Sequence, residues 1–234
     1  MNVKELKKEL LTLADQKRAK ISAWFFKTKK GEYGYGDKFL GITVPLQRKV
    51  AHRFVSLSLG AVKELLKSSF HEHRFVALEI LVAKYESGDA KTKKAIVDFY
   101  LENIKYVNNW DLVDTSAEYI LGDYFFDKNK EILFRLAKSK NIFEKRIAII
   151  STFNFIKKNT FKETLKIASI LIGDNHDLIQ KAVGWMLREV GNRSLETEII
   201  FLERYYKKMP RTMLRYAIEK FPEEKRQYYL KKIF

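Results

Sequence analysis

Apolar residues recur at i, i+3, i+4 and i+7 along the whole chain, and strict alternation is missing. That period gathers apolar side chains on one face of an α-helix and predicts helices without strands. The spacing predicts helices over 3–14, 16–25, 45–55, 60–68, 71–86, 90–105, 110–125, 128–138, 142–157, 161–172, 176–190, 195–207, 210–220 and 222–232. Three prolines and ten glycines leave few breaks, and no stretch rich in Pro, Ser or Gly divides the chain. One domain over 1–234 is expected, with N-terminal helices and a single long Gly-rich loop at 28–44.

Successive helices of this length predict stacked pairs. Arg74, Trp110, Arg146 and Trp185 stand at comparable places in successive pairs, at spacings of 36, 36 and 39 residues. HEAT-type repeats run slightly longer, at about 40–47 residues. The expected fold is all-α: a curved solenoid of HEAT-like antiparallel helix pairs, in which these four residues line one concave face.

Charge narrows the partner. The 234 residues carry 45 Lys and Arg against 29 Asp and Glu, a formal charge of +16. Such a surplus points to a polyanion or a membrane surface. There is no cysteine, which excludes disulfides and thiolate metal sites. The opening "MNVKELKKELLTLADQ" is a charged amphipathic pattern, unlike a signal peptide, and no apolar run of about 18 residues follows anywhere. A soluble, cytoplasmic monomer is expected, with no membrane, cofactor or metal partner.

Four glycines between Gly31 and Gly41 imitate a phosphate-cradling turn. No strand precedes them, so the segment reads as a flexible connection, with Lys27, Lys29 and Lys30 at its edge within reach of phosphates.

Four side chains break helical rules. In "NNWDLVD" Asp111 suits the first turn, where it complements the helix dipole. Asp114 instead borders the apolar stripe, one turn after Trp110, and a half-desolvated carboxylate there must be paired or used. Arg146 and Arg74 each align with apolar residues of their own helices. Each is a buried ion-pair partner for an acid such as Asp114 or a clamp for phosphate. Trp185 lies opposite the stripe of its helix, flanked by Lys181 and Arg188; packing on a neighbouring helix and contact with nucleic acid weigh equally. "HEHRF" at 71–75 places His71 and His73 on different helix faces, which does not make a metal site.

Taken in order, "FFKTKKGEYGYGDKFLGITVP", "NNWDLVD", "LGDYF", "EKRIAII" and "QKAVGWMLRE" resemble the DNA alkylation repair family of AlkD-type, HEAT-like DNA glycosylases, over about residues 20–195. The resemblance implies a DNA glycosylase that releases cationic N3- or N7-alkylated purines from double-stranded DNA in base excision repair. It implies a catalytic Asp114, with Trp110, Arg146 and Trp185 beside it, and a phenylalanine, Phe25, where some relatives carry tyrosine. Lys27, Lys29, Lys30, Arg48, Arg74, Lys181 and Arg188 are the cations expected to hold the DNA. Some relatives lack the acid and only bind, so a non-catalytic binder of structured DNA or RNA is the alternative. A protein-interaction scaffold is a third reading.

Overall fold

A computed structural model describes residues 1–231. The helices are α1 (Val3–Thr12), α2 (Gln16–Phe25), α3 (Val44–Arg53), α4 (Leu59–Leu66), α5 (His71–Ser87), α6 (Ala90–Glu102), α7 (Trp110–Asp114) and α8 (Asp123–Phe125). They continue as α9 (Glu131–Ala137), α10 (Ile142–Ser151), α11 (Phe153–Lys157), α12 (Lys162–Ile170), α13 (Asp177–Arg193), α14 (Leu195–Tyr205), α15 (Arg211–Ala217) and α16 (Glu223–Lys231). The expected end of the last helix, at 232, lies outside the described residues. The chain is all-α, and among the described residues the only β pairing is one isolated bridge between Lys38 and Phe70. Among them too, no helix is long and apolar enough to cross a membrane.

Side-chain caps start many of the helices. Asn2 and Glu5 close a capping box on α1, and Asp15, Ser58, Asp89, Asn141 and Ser194 each accept a backbone N–H of the helix that follows.

The chain divides into two compact units, Met1–Ser116 and one beginning at Ala117. In the first, α5 packs against α3, α4 and α6, the neighbour-on-neighbour arrangement of an α-helical solenoid. It buries eleven residues on nearly every face, including His71, Glu72, His73 and Arg74 in its first turn. In the second, α13 takes the central place against α10, α14 and α15. Gly184 of α13 is needed for that fit, since a Cβ there would sit 2.4 Å from the Met213 carbonyl oxygen.

Two expectations change. The predicted helix 110–125 is broken after Asp114: Ser116 Oγ donates back to the Leu112 carbonyl at 2.6 Å, a bond that bends helices. A π turn over Glu118–Gly122 follows, with Gly122 so close to the Ser151 carbonyl that a Cβ would lie 2.3 Å from it. The Gly-rich segment is also not a flexible connection. The buried Glu72 carboxylate accepts the backbone N–H groups of Leu40 (2.9 Å) and Gly41 (2.8 Å), fastening the segment to the first turn of α5. Gly41 has φ +81°, and a Cβ there would lie 2.2 Å from the Asp15 carbonyl oxygen, so no other residue fits.

Candidate functional site

Trp110 opens α7 and Asp114 closes it. A five-residue helix makes too few internal bonds to hold its own position, and its surroundings supply the missing restraint. Asn109 caps it, Oδ1 accepting the Trp110 N–H at 2.8 Å, while Asn109 Nδ2 donates to Asp37 at 3.4 Å. Asp111, expected only to complement the helix dipole, also accepts from His71 Nε2 at 2.7 Å. The other nitrogen of that ring, Nδ1, lies 3.2 Å from Asp37 Oδ2.

Both ring nitrogens of His71 therefore face carboxylates, and the ring is an imidazolium donating twice. Burial opposes that charge, but the Asp111 charge and the two hydrogen bonds outweigh burial and the nearby Arg74, lifting His71 to about 9. Asp37 answers in the opposite direction. Burial alone would raise it, yet the hydrogen bond from His71 and the Arg74 charge hold it below the usual carboxylate range. His73, two residues on, faces Ser68 Oγ at 2.8 Å and is pushed down to about 4 by burial, then by Lys7 and Arg74. The two histidines do lie apart. Among the described residues, no group of three His, Asp or Glu side chains could hold a metal ion.

Arg74 is a correction to the sequence reading. It is 3% exposed, with Nη2 donating to Asp37 at 2.5 Å and Nη1 to the Ser68 carbonyl at 2.7 Å. It braces the acid behind α7 and does not stand at the surface as a phosphate clamp.

An aromatic stack overlies this ionic cluster. Phe39 stacks on His71 at 4.8 Å and on Phe26 at 5.1 Å, and Phe26 stacks on the Trp110 indole at 5.3 Å with 18° between planes. Phe25 meets the indole edge-on at 5.9 Å. Each such pair contributes about 0.5–1.5 kcal/mol beyond its burial, so several together fix the ring of Trp110.

Asp114 is only partly buried. Its charge reaches the buried Tyr100 phenol, which donates or accepts at Ser116 Oγ over 3.0 Å. Burial, opposed by that hydrogen bond and reinforced by Asp114, holds Tyr100 above the usual tyrosine range. Next to Asp114, Thr115 donates to Glu79 at 2.5 Å, and Glu79 also pairs with Arg48 Nε at 3.1 Å. Arg48 is exposed but tethered.

The second unit carries the other two expected residues. Arg146 is 6% exposed, with Nη1 donating to the Leu178 carbonyl at 2.7 Å. It is held within the helix layer and is not an open phosphate clamp. The Trp185 indole is half-buried, edge-on to Phe153 at 5.7 Å, with its N–H on Glu189 at 3.1 Å. The two flanking cations are engaged: Lys181 pairs with Asp177 at 2.9 Å, and Arg188 pairs with Glu219 and Glu189. Arg188 as a free DNA-binding cation is corrected accordingly. Lys27, Lys29 and Lys30 are exposed, with Lys27 Nζ 5.7 Å from the centre of the Trp24 ring.

The sequence reading missed Asp37, Phe26 and Phe39, and the partner of Asp111. A helical wheel compares a residue only with its own helix, and these contacts join different elements, those of Asp37 with His71 and Asn109 crossing 34 and 72 positions of chain. The visible signal was the polar run His71, Glu72, His73 and Arg74 at the head of α5.

Residues 6–221 match the family model of the DNA alkylation repair enzymes. No curated protein matches the chain. Among solved structures it is similar to a predicted DNA alkylation repair enzyme from Enterococcus faecalis, with a TM-score of 0.68 at 14% identity, over 90% of this chain and 97% of that one. At that identity the likeness carries the fold alone.

Proposed function

The chain belongs to the DNA alkylation repair enzymes, and from that premise we propose that it is a DNA glycosylase of the AlkD-type, HEAT-like kind. Its substrate is double-stranded DNA bearing cationic N3- or N7-alkylated purines, and Asp114 carries the reaction. The observation that supports this most is a carboxylate left partly exposed one turn after an indole held rigid by Phe26 and Phe25.

The chemistry asks little of the protein. An alkylated purine carries a positive charge, so when the bond from C1′ breaks its electron pair passes to the base, which leaves neutral and unprotonated. Positive charge is left on the sugar. A carboxylate beside C1′ stabilises that charge and orients the incoming water, whose oxygen adds to C1′ while its proton passes to the carboxylate and from there to solvent. Trp110 offers the sugar a π face, favourable for a cation. Lys27, Lys29, Lys30 and Arg48 are the exposed cations of the same unit for phosphates.

Asp114→Asn on duplex DNA containing 7-methylguanine is the test. Base release falls by about 10²- to 10³-fold, the loss typical when one preorganised electrostatic group is removed, and duplex affinity is retained. Wild-type protein that binds the duplex but releases no base would leave the non-catalytic reading in its place. A fully active variant would remove Asp114 from the mechanism.

A further inference from the structure

The helix α2 has its apolar residues the wrong way out. It buries none of its ten residues. At about 100° per residue, Ala19, Ser22 and Ala23 share the inner side, with the Ala19 backbone against Gly41. Lys17, Lys20, Ile21 and Trp24 share the opposite side, with Phe25 at its edge. Ile21 is 65% exposed, Trp24 67% and Phe25 52%. A contiguous apolar surface of this kind on a helix that has small residues for its interior side marks a binding face.

Charge says what it binds. Residues 16–30 hold six cations, Lys17, Arg18, Lys20, Lys27, Lys29 and Lys30, and no acid. The flanking acids are occupied locally, Asp15 as the cap of α2 and Glu32 on the Lys29 N–H. Among the described residues none of the six forms an ion pair, unlike Lys145, Lys157, Lys158, Lys181 and Arg188 of the second unit. Trp24 stands between Lys20, one turn before it, and Lys27, whose Nζ is 5.7 Å from its ring centre. Exposed rings interleaved with unpaired cations are what an unpaired polynucleotide strand requires: bases stack on the ring while phosphates meet the lysines. A paired duplex presents its phosphates but hides its base faces, and would leave the indole unused.

We propose that the outer face of α2 binds an unpaired strand of nucleic acid, with Trp24 as the stacking platform and Lys17, Lys20 and Lys27 along the backbone. Phe25 touches Trp110, so the strand runs on toward α7. This rests on nucleic acid being the partner, not on Asp114 being catalytic.

Affinities for a fluorescein-labelled dT12 strand and for a 12-base-pair duplex test it, and Trp24 is exposed enough that its replacement leaves the fold intact. Trp24→Ala weakens dT12 binding by about 5- to 150-fold and duplex binding less than twofold, while Trp24→Phe restores most of the loss. An equal loss on both probes, or none, overturns the proposal. So does a Trp24→Ala variant whose only change is lower self-association, or a wild type that binds phosphatidylserine vesicles but no dT12. Asp114→Asn keeps dT12 affinity. Loss of base release without loss of the Trp24 effect, or the reverse, separates the two readings.

Discussion

His71 makes the stability of the first unit depend on pH in a direction opposite to that of an isolated buried histidine. Its ring sits between Asp37 and Asp111, with Arg74 behind Asp37 and the uncharged Phe26 and Phe39 across its faces. The folded state holds the proton to about pH 9, whereas the ordinary value is 6.5. A group raised on folding stabilises fully below its unfolded value, and that contribution is lost as pH climbs through the folded one. The gap of about 2.5 units, at about 1.36 kcal/mol each, gives roughly 3 kcal/mol. His71→Gln keeps a donor for Asp111 and removes the titration. Urea unfolding of both proteins from pH 6 to 9.5, followed by a probe in the first unit, reads the difference between them. The wild-type advantage is largest near pH 6 and shrinks by about 3 kcal/mol by pH 9.5. A difference that stays flat across that range would mean that folding does not raise the ring's pKa, one that grows would mean a ring kept neutral, and either would remove the ionic account of α7.

Two further outcomes follow from buried groups described by the structure. Gly41→Ala must bend a φ of +81° and clear the Asp15 carbonyl, so it costs at least about 2 kcal/mol in urea unfolding; a neutral result would refute the close approach. Glu198, 1% exposed, is raised to about 8 by burial, offset only in part by Lys225 and Arg188. Wild type therefore loses stability between pH 4.5 and 8, and Glu198→Gln, which imitates the protonated form, gains on it by up to about 5 kcal/mol over that window. No relative gain would place the carboxylate in water.

Helical period made the all-α fold legible, because a repeating apolar stripe is a local property and the structure keeps it. The bounds of α2 agree with the spacing. The helix over 110–125 failed where a non-local contact, Gly122 against Ser151, and the back-bonding Ser116 overrode propensity. Asp114 and Trp110 were readable as oddities of one wheel. Arg74 was readable only as a choice between an acid and a phosphate. The acid it meets, Asp37, comes from a glycine-rich stretch where no periodicity exists to place it. The unusual face of α2 went unread because a wheel shows which residues share a side, not which side faces inward.

The anchoring of residues 37–42 on the first turn of α5 has a temporal side. During synthesis the chain delivers Leu40 well before Glu72, 32 positions later. At about 5–20 residues per second, the segment waits roughly 2–6 s before the first turn of α5 can hold it, with Phe39 not yet stacked on His71.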